Sequence, residues 1–314
     1  PTSTPAERPA PSPMLSPLTG LPITEEALAH RVVAVKIDNA PGARPQSGLS
    51  TAGIVYEHET EGSVTRYTAF FLDSELPRVG PVRSARFVDR DLVQQFDALF
   101  AHVGGSQAVL KDLRASPVAD MDEFFYSGHL PYVRVSGRKP PFNCYADLST
   151  LRHEGARRYD NRREIGSLMF YDQPHDSGPI HSLTVPRGGR TTYQVEYRYQ
   201  PLTRRWQRLL GGIQDIDAAT GVAIAVENIV IQHAPIRITE VVEDSLGSRS
   251  LAIPTTGSGP VSVFRDGLRF DGTWERNDAK KVTRFRTASG TQLHLRPGRT
   301  WVHLLDIGKQ VDSV

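Results

Sequence analysis

Cysteine is nearly absent. Cys144 is the single one in 314 residues, so no disulfide ties the chain to itself. It lies beside Phe142 and Tyr145, a setting for a small buried thiol rather than a nucleophile. A chain of this size builds a core without disulfides, so their absence leaves the compartment open. No run of about twenty apolar residues occurs, so nothing reads as a membrane-spanning helix. Net charge is only +2, from 37 basic and 35 acidic residues, which gives no electrostatic case for a nucleic-acid partner. There is no internal repeat, and Gly104-Gly105-Ser106 lacks the flanks of a nucleophile elbow. His175 and His181 are close in sequence but match no standard zinc spacing, so no metal site is assigned.

What is present is a globular composition, 39% hydrophobic and 23% charged, behind a different first segment. Residues 1–16 (PTSTPAERPAPSPMLS) are rich in Pro, Ser, Thr and Ala and stay extended and solvated. They read as the tether of an exported protein, anchored to the membrane by a lipid upstream of residue 1. Residues 17–165 have α/β character. Val32 to Asp38 is a short, nearly continuous apolar run, as in a buried strand. A turn-rich stretch follows, then strand candidates Ile54 to Glu61 and Thr65 to Leu72, separated by Gly62-Ser63 as in a hairpin. Phe87 to Asp97 reads as a helix. Ala98 to Val103 reads as a strand, and Gln107 to Arg114 as a helix capped by Ser106. Residues 166–314 are mostly β, with Tyr193, Val195, Tyr197 and Tyr199 alternating with polar residues. Asp266-Gly267, Asp271-Gly272 and Pro297-Gly298 supply turns. The fold expected is an α/β domain with a mixed sheet followed by a β-rich domain.

The chemistry concentrates in Gly80-Pro81-Val82-Arg83-Ser84-Ala85-Arg86. Two guanidiniums at a helix start match a carboxylate or phosphate fork, and the helix dipole adds to them. The same two residues serve equally well as surface arginines paired to local acids. Glu57, Glu59 and Glu61 alternate, so a regular strand places them on one face, neighbours roughly 6–7 Å apart. Arg66 stands across the hairpin, and Arg83 and Arg86 can fold back onto it. A mixed carboxylate–guanidinium cluster is the expected result. Asp38 closes a strand at the end where α/β ligands sit.

The motifs resemble the YerB-like family of bacterial lipoproteins, whose domains are of unknown function. In the first half the matches are Ile37-Asp38-Asn39, Arg44-Pro45-Gln46-Ser47-Gly48-Leu49, Val55-Tyr56-Glu57, Glu61-Gly62, Thr65-Arg66, the arginine motif, Phe96-Asp97-Ala98 and His102-Val103-Gly104-Gly105-Ser106. In the second half they are Glu227-Asn228-Ile229-Val230, Phe264-Arg265-Asp266-Gly267, Gly272-Thr273-Trp274 and Pro297-Gly298-Arg299-Thr300-Trp301. The resemblance implies an exported, lipid-anchored protein and supplies no reaction. Ala52-Gly53 stands where the family has Ala-Asp, and Pro141-Phe142-Asn143 where it has Pro-His-Asn. Both changes remove a polar group that a metal or a proton transfer would use.

Three functions fit this sequence. The first is binding of an anionic envelope ligand, a phosphorylated or carboxylated glycan or its polyprenyl-pyrophosphate-linked precursor. Arg44, Arg66, Arg83 and Arg86 would hold the charge, with Ser84, His102 and Asn143 as orienting groups. Strand, arginine loop and glycine turn loosely resemble the LytR-CpsA-Psr glycan transferases in about a third of the chain. That resemblance calls for a divalent cation, yet the Asp expected to help hold it falls near Gly53. The second function is a wall-glycan hydrolase using Glu57, Glu61 and Asp38, whose carboxyl groups would need to stand about 5–10 Å apart. The third is a non-catalytic binding or scaffold lipoprotein presenting Tyr197, Trp206, Trp274 and Trp301. The sequence identifies no protein partner.

Overall fold

The computed structural model describes residues 13–127, 129–159, 163–171, 178–186 and 194–314. In the first half the strands are β1 (Val33–Asp38), β2 (Ile54–Glu59), β3 (Thr65–Phe71), β4 (Leu99–His102), β5 (Ala119–Asp122), β6 (Tyr132–Arg134) and β7 (Cys144–Ala146). The helices are α1 (Glu25–Ala29), α2 (Phe87–Gln94), α3 (Gln107–Arg114) and α4 (Leu148–Arg158). The second half adds β8 (Ser182–Val185), β9 (Val195–Gln200), β10 (Arg205–Leu210), β11 (Ile213–Gln214), β12 (Ala225–Val226), β13 (Asn228–Ala234), β14 (Arg237–Val242) and β15 (Arg249–Ala252). It ends with β16 (Gly257–Arg265), β17 (Leu268–Arg276), β18 (Arg284–Thr287), β19 (Thr300–Asp306) and β20 (Asp312–Ser313).

Ten strands form one mixed sheet, in the order β18-β17-β16-β13-β19-β2-β3-β1-β4-β5. The first and second halves of the chain meet inside it. β19 runs parallel to β13 on one side and to β2 on the other, with Trp301 opposite Val55 and His303 opposite Glu57. β1, β4 and β5 are parallel, as crossover connections require, and β2–β3 is the expected hairpin. The mixed sheet appears as expected, but helices are few, and the molecule is mostly β rather than clearly α/β.

Side-chain alternation divides the core between the two faces of the sheet. Val35, Ile37, Val55, Tyr67 and Trp301 face the smaller sheet β11-β10-β9-β8-β20, and Leu99 on the same face packs on α4. Ala34, Ile54, Tyr56 and Phe70 face the opposite way, with α2 and α3. Tyr197, Trp206, Trp274 and Trp301 are all buried, so none of them is an exposed ligand platform. Asp271-Gly272 lies inside β17 and makes no turn there. A Cβ on Gly272 would come within 1.9 Å of the Arg286 carbonyl oxygen on β18, which is why the strand carries glycine. Leu15 bridges Pro22 and Ser16 is buried; residues 1–12 of the expected tether, with His175 and Tyr193, lie outside the described residues.

Candidate functional site

The arginine motif is threaded between strand ends. The Asp38 amide donates to the Pro81 carbonyl (3.0 Å) and the Arg83 amide to the Lys36 carbonyl (2.9 Å). On the other side Val103 donates to the Arg83 carbonyl (3.1 Å) and Ala85 to that of Gly104 (2.9 Å). Residues 81–86 therefore fill the crevice between β1 and β4, where open α/β sheets hold ligands. Gly80 makes the entry at φ 156°, where a Cβ would press on the Cys144 carbonyl and the Val82 amide.

Each guanidinium of the motif meets a carboxylate. Arg83 Nε donates to Asp38 Oδ2 (3.1 Å), and the Arg83 side chain is 30% exposed. Arg86 Nε donates to Glu61 Oε2 (2.8 Å), and its Nη2 pairs closely with Glu61 Oε1. Arg66 donates to the same Oε1 (3.4 Å) and to the Ser84 carbonyl (3.0 Å). Glu243, carried in from the β14–β15 ribbon, stands 3.5 Å from Arg86 Nη1 with its side chain wholly buried. Burial pushes the Glu61 carboxyl up, but the hydrogen bond and charge of Arg86 and the charge of Arg66 outweigh it and hold it at about 2.

A carboxyl with a lower pKa in the folded chain stabilises the fold above its ordinary range, and that stability is lost as pH falls. Wild type is therefore expected to lose stability between pH 4.5 and about 2. Glu61→Gln should be less stable at neutral pH and lack that part of the acid limb in thermal melts.

Beneath these arginines lies a cluster without a sequence signature. Lys36 Nζ donates to His58 Nε2 (2.6 Å), Asp89 Oδ1 (2.6 Å) and Thr68 Oγ1 (3.1 Å), and none of these four side chains is exposed. Burial lowers Lys36 to about 8 against the pull of Asp89. Burial and the Lys36 charge push His58 down to about 3, so its imidazole is neutral, with Nδ1–H donating to the Glu59 carbonyl (3.0 Å). Asp89 also takes the Arg86 amide at the start of α2 (2.7 Å). The helix start expected to bind an anion thus has a carboxylate of its own. Together, four cations (Lys36, Arg66, Arg83, Arg86) face four carboxylates (Asp38, Glu61, Asp89, Glu243).

The three glutamates do not share a face. β2 ends at Glu59, and a 3-10 turn (Glu61–Ser63) carries Glu61 over to Arg66 and Arg86. Glu57 points through the other face and is fully buried. Its carboxylate accepts from Thr65 Oγ1 (2.9 Å), Trp301 Nε1 (3.0 Å) and Arg208 Nη2 (3.0 Å). Glu57 and Glu61 therefore form no pair across a glycosidic bond. Arg44 is also apart from the cluster: it donates to Asn39 Oδ1 (3.2 Å), and its charge acts on Tyr67 and Asp215.

His102 is buried between Asp120 (2.8 Å) and the Gly104 carbonyl (2.9 Å). Burial opposes its charge, but Asp120 and Asp122 outweigh that and raise its pKa. Asn143 accepts from Arg134 (3.3 Å), away from the motif, while Ser84 contributes its carbonyl to Arg66. Phe142 packs on Gly42, and a Cβ at Gly53 would press on Leu18 (3.0 Å) and Thr19 (3.1 Å), so glycine suits the close packing there. No cluster of three or more His, Cys, Asp or Glu arranged for a metal occurs among the described residues. Lys36, His58, Asp89, Arg208 and Glu243 escape sequence reasoning. Only Lys36, a charge inside an apolar run, carried a signal.

This architecture, a mixed sheet shared by both halves of the chain, is that of a two-part family of unknown function. The model for the N-terminal domain of the proteins of unknown function DUF3048 matches residues 18–161, and that for the C-terminal domain matches 183–302. "Putative lipoprotein YerB" of Bacillus subtilis (strain 168) is 33% identical over 296 residues, covering 92% of this chain and 86% of the relative. A crystal structure of the YerB protein from Bacillus subtilis superposes with a TM-score of 0.83 at 30% identity, covering 95% of this chain and 99% of that one. The chain belongs to this YerB-like family.

Proposed function

We propose that the protein is a non-catalytic binding lipoprotein of the cell envelope whose ligand carries an oxyanion at the mouth beside Arg83. The carrying observation is the setting of Arg83. Its Nε is fixed on Asp38, its side chain is 30% exposed, and its Nη groups have no partner among the described residues. Such a fork is positioned for a phosphate or carboxylate. Segment 83–85 runs beside Gly104 and Gly105, and the amides of Gly105 and Ser106 at the start of α3 have no backbone partner among the described residues. A ligand there would be an acidic envelope glycan or its lipid-linked precursor. The relative named as a lipoprotein supports an extracytoplasmic place for this chain, with a lipid upstream of residue 1 and the segment before Leu15 as tether, since Leu15 and Ser16 belong to the folded body. No helix among the described residues is long and apolar enough to cross a membrane.

The non-catalytic reading rests on the two glutamates. Glu57 has no exposure and three donors, and Glu61, held at about 2 between two guanidiniums, is no proton donor at neutral pH.

A short prenyl pyrophosphate, with and without magnesium, is expected to raise the melting temperature of wild type by mass action. Arg83→Ala should abolish the shift. Arg83 is the residue to change because Arg86 also holds Glu61 in place. No shift in wild type overturns the reading.

A further inference from the structure

A second cationic cleft shares no lining residue with the strand-end cluster. It has a volume of about 630 Å³, within the range of small-molecule sites, and lies beside the β6–β7 ribbon. Arg78, Arg134 and Arg138 line it together with Ser47, Ser136 and Tyr145, and no acidic residue does. Arg138 is fixed without being neutralised, since Nη1 donates to the Ala43 carbonyl (2.7 Å) and Nη2 to that of Pro45 (2.9 Å). Arg78 is exposed and makes no ion pair among the described residues. Arg134 is the one arginine already matched, held by Glu123 (3.0 Å) and Asn143 (3.3 Å) at the rim. Two guanidinium charges therefore face the cleft uncompensated, unlike the four-to-four balance around Arg83.

The rest of the lining points to more than a bare ion. Val133, Val135 and the buried Tyr145 give the wall an apolar side. Burial holds the Tyr145 hydroxyl above its ordinary pKa although Arg138 and Arg78 pull it down, so it stays a neutral phenol. The volume exceeds what a single phosphate fills. We infer that this cleft binds a saccharide bearing an oxyanion, the charge on Arg78 and Arg138 and the ring against the half-buried Val133 and Val135. This inference does not rest on the reading of Arg83.

The test follows the backbone amides of residues 133–138 and of Tyr145 by NMR during titration of the whole chain. The probes are a hexose 1-phosphate, a hexuronate and the unmodified hexose. At least one charged sugar is expected to move these amides and saturate at millimolar concentration. The unmodified hexose should not, and added salt should weaken the effect. Which charged sugar binds more tightly identifies the oxyanion as phosphate or carboxylate. Arg78→Ala should weaken binding by about tenfold, the worth of a hydrogen bond to a charged group. It should leave the melting temperature unchanged, since the side chain is exposed and unpaired, and Arg83→Ala should leave this binding intact. The inference is overturned if neither charged sugar moves these amides, if the unmodified hexose moves them equally, or if Arg78→Ala binds as wild type does.

Discussion

Arg208→Met is expected to cost about 3–5 kcal/mol, the loss seen when one member of a buried ion pair is removed. One cation here serves two carboxylates. Arg208 is fully buried, with Nη2 on Glu57 (3.0 Å) and the Tyr67 hydroxyl (3.2 Å) and Nη1 closely paired with Asp215. Its guanidinium also lies 4.4 Å from the centre of the Trp301 indole. Methionine fills similar space but takes the Arg208 guanidinium away from both Asp215 and Glu57. Against a total stability of about 5–15 kcal/mol, the variant is at the edge of folding. Glu57→Gln should cost less, because its amide oxygen still accepts from Trp301 and Arg208 keeps Asp215. The deficit of Arg208→Met should shrink as pH falls, since an unpaired buried carboxylate favours its protonated form and the folded chain then binds more protons. Urea midpoints followed by tryptophan fluorescence at several pH values would show this. A midpoint equal to that of wild type contradicts the account.

Lys36→Met should be comparably destabilising, again by about 3–5 kcal/mol, because the buried Asp89 carboxylate loses the cation in direct contact with it. A second change tests the cause. In Lys36→Met/Asp89→Asn the charge is gone, while an amide oxygen still accepts from the Arg86 backbone. The double variant should therefore be more stable than the single one. If the two melt together, the cost lies in packing rather than in unpaired charge. Lys36 also predicts a sign at high pH. Its folded value of about 8 lies below the ordinary 10.5, so the folded chain gives up this proton first. Between those values the unfolded chain binds more protons, and the contribution of Lys36 to stability rises with pH. Lys36→Met should lack that rise.

Local patterns were legible wherever neighbouring residues decide. Ser106 caps a helix over Gln107–Arg114, and its hydroxyl accepts from the Val109 amide. Val195, Tyr197 and Tyr199 alternate as a strand, although all three face inward. Charge recognition between Glu61 and the two arginines was legible as well, because oppositely charged motif residues had to meet. The side of the sheet was not. Strand parity places Glu57 and Glu61 together, but the chain leaves the strand after Glu59, and a turn of positive φ at Gly62 resets the direction. Lys36 stood out as a charge inside an apolar run, but the partner that allows its burial, Asp89, arrives from 53 positions away. Glu57 stood out as a motif residue, but its partners Arg208 and Trp301 lie 151 and 244 positions away. No spacing rule reaches that far.

The place of β19 decides the order in which this protein can be completed. A chain that emerges amino end first presents β2 and β13 long before Thr300–Asp306 arrives to lie between them. Until then both strands have an open hydrogen-bonding edge, the kind of surface that recruits other chains. Trp301, which locks Glu57, arrives at the same moment. The sheet that joins the two halves is therefore complete only once β19 is in place, and a chain cut short before residue 300 is left with two open edges and a buried carboxylate missing one of its donors.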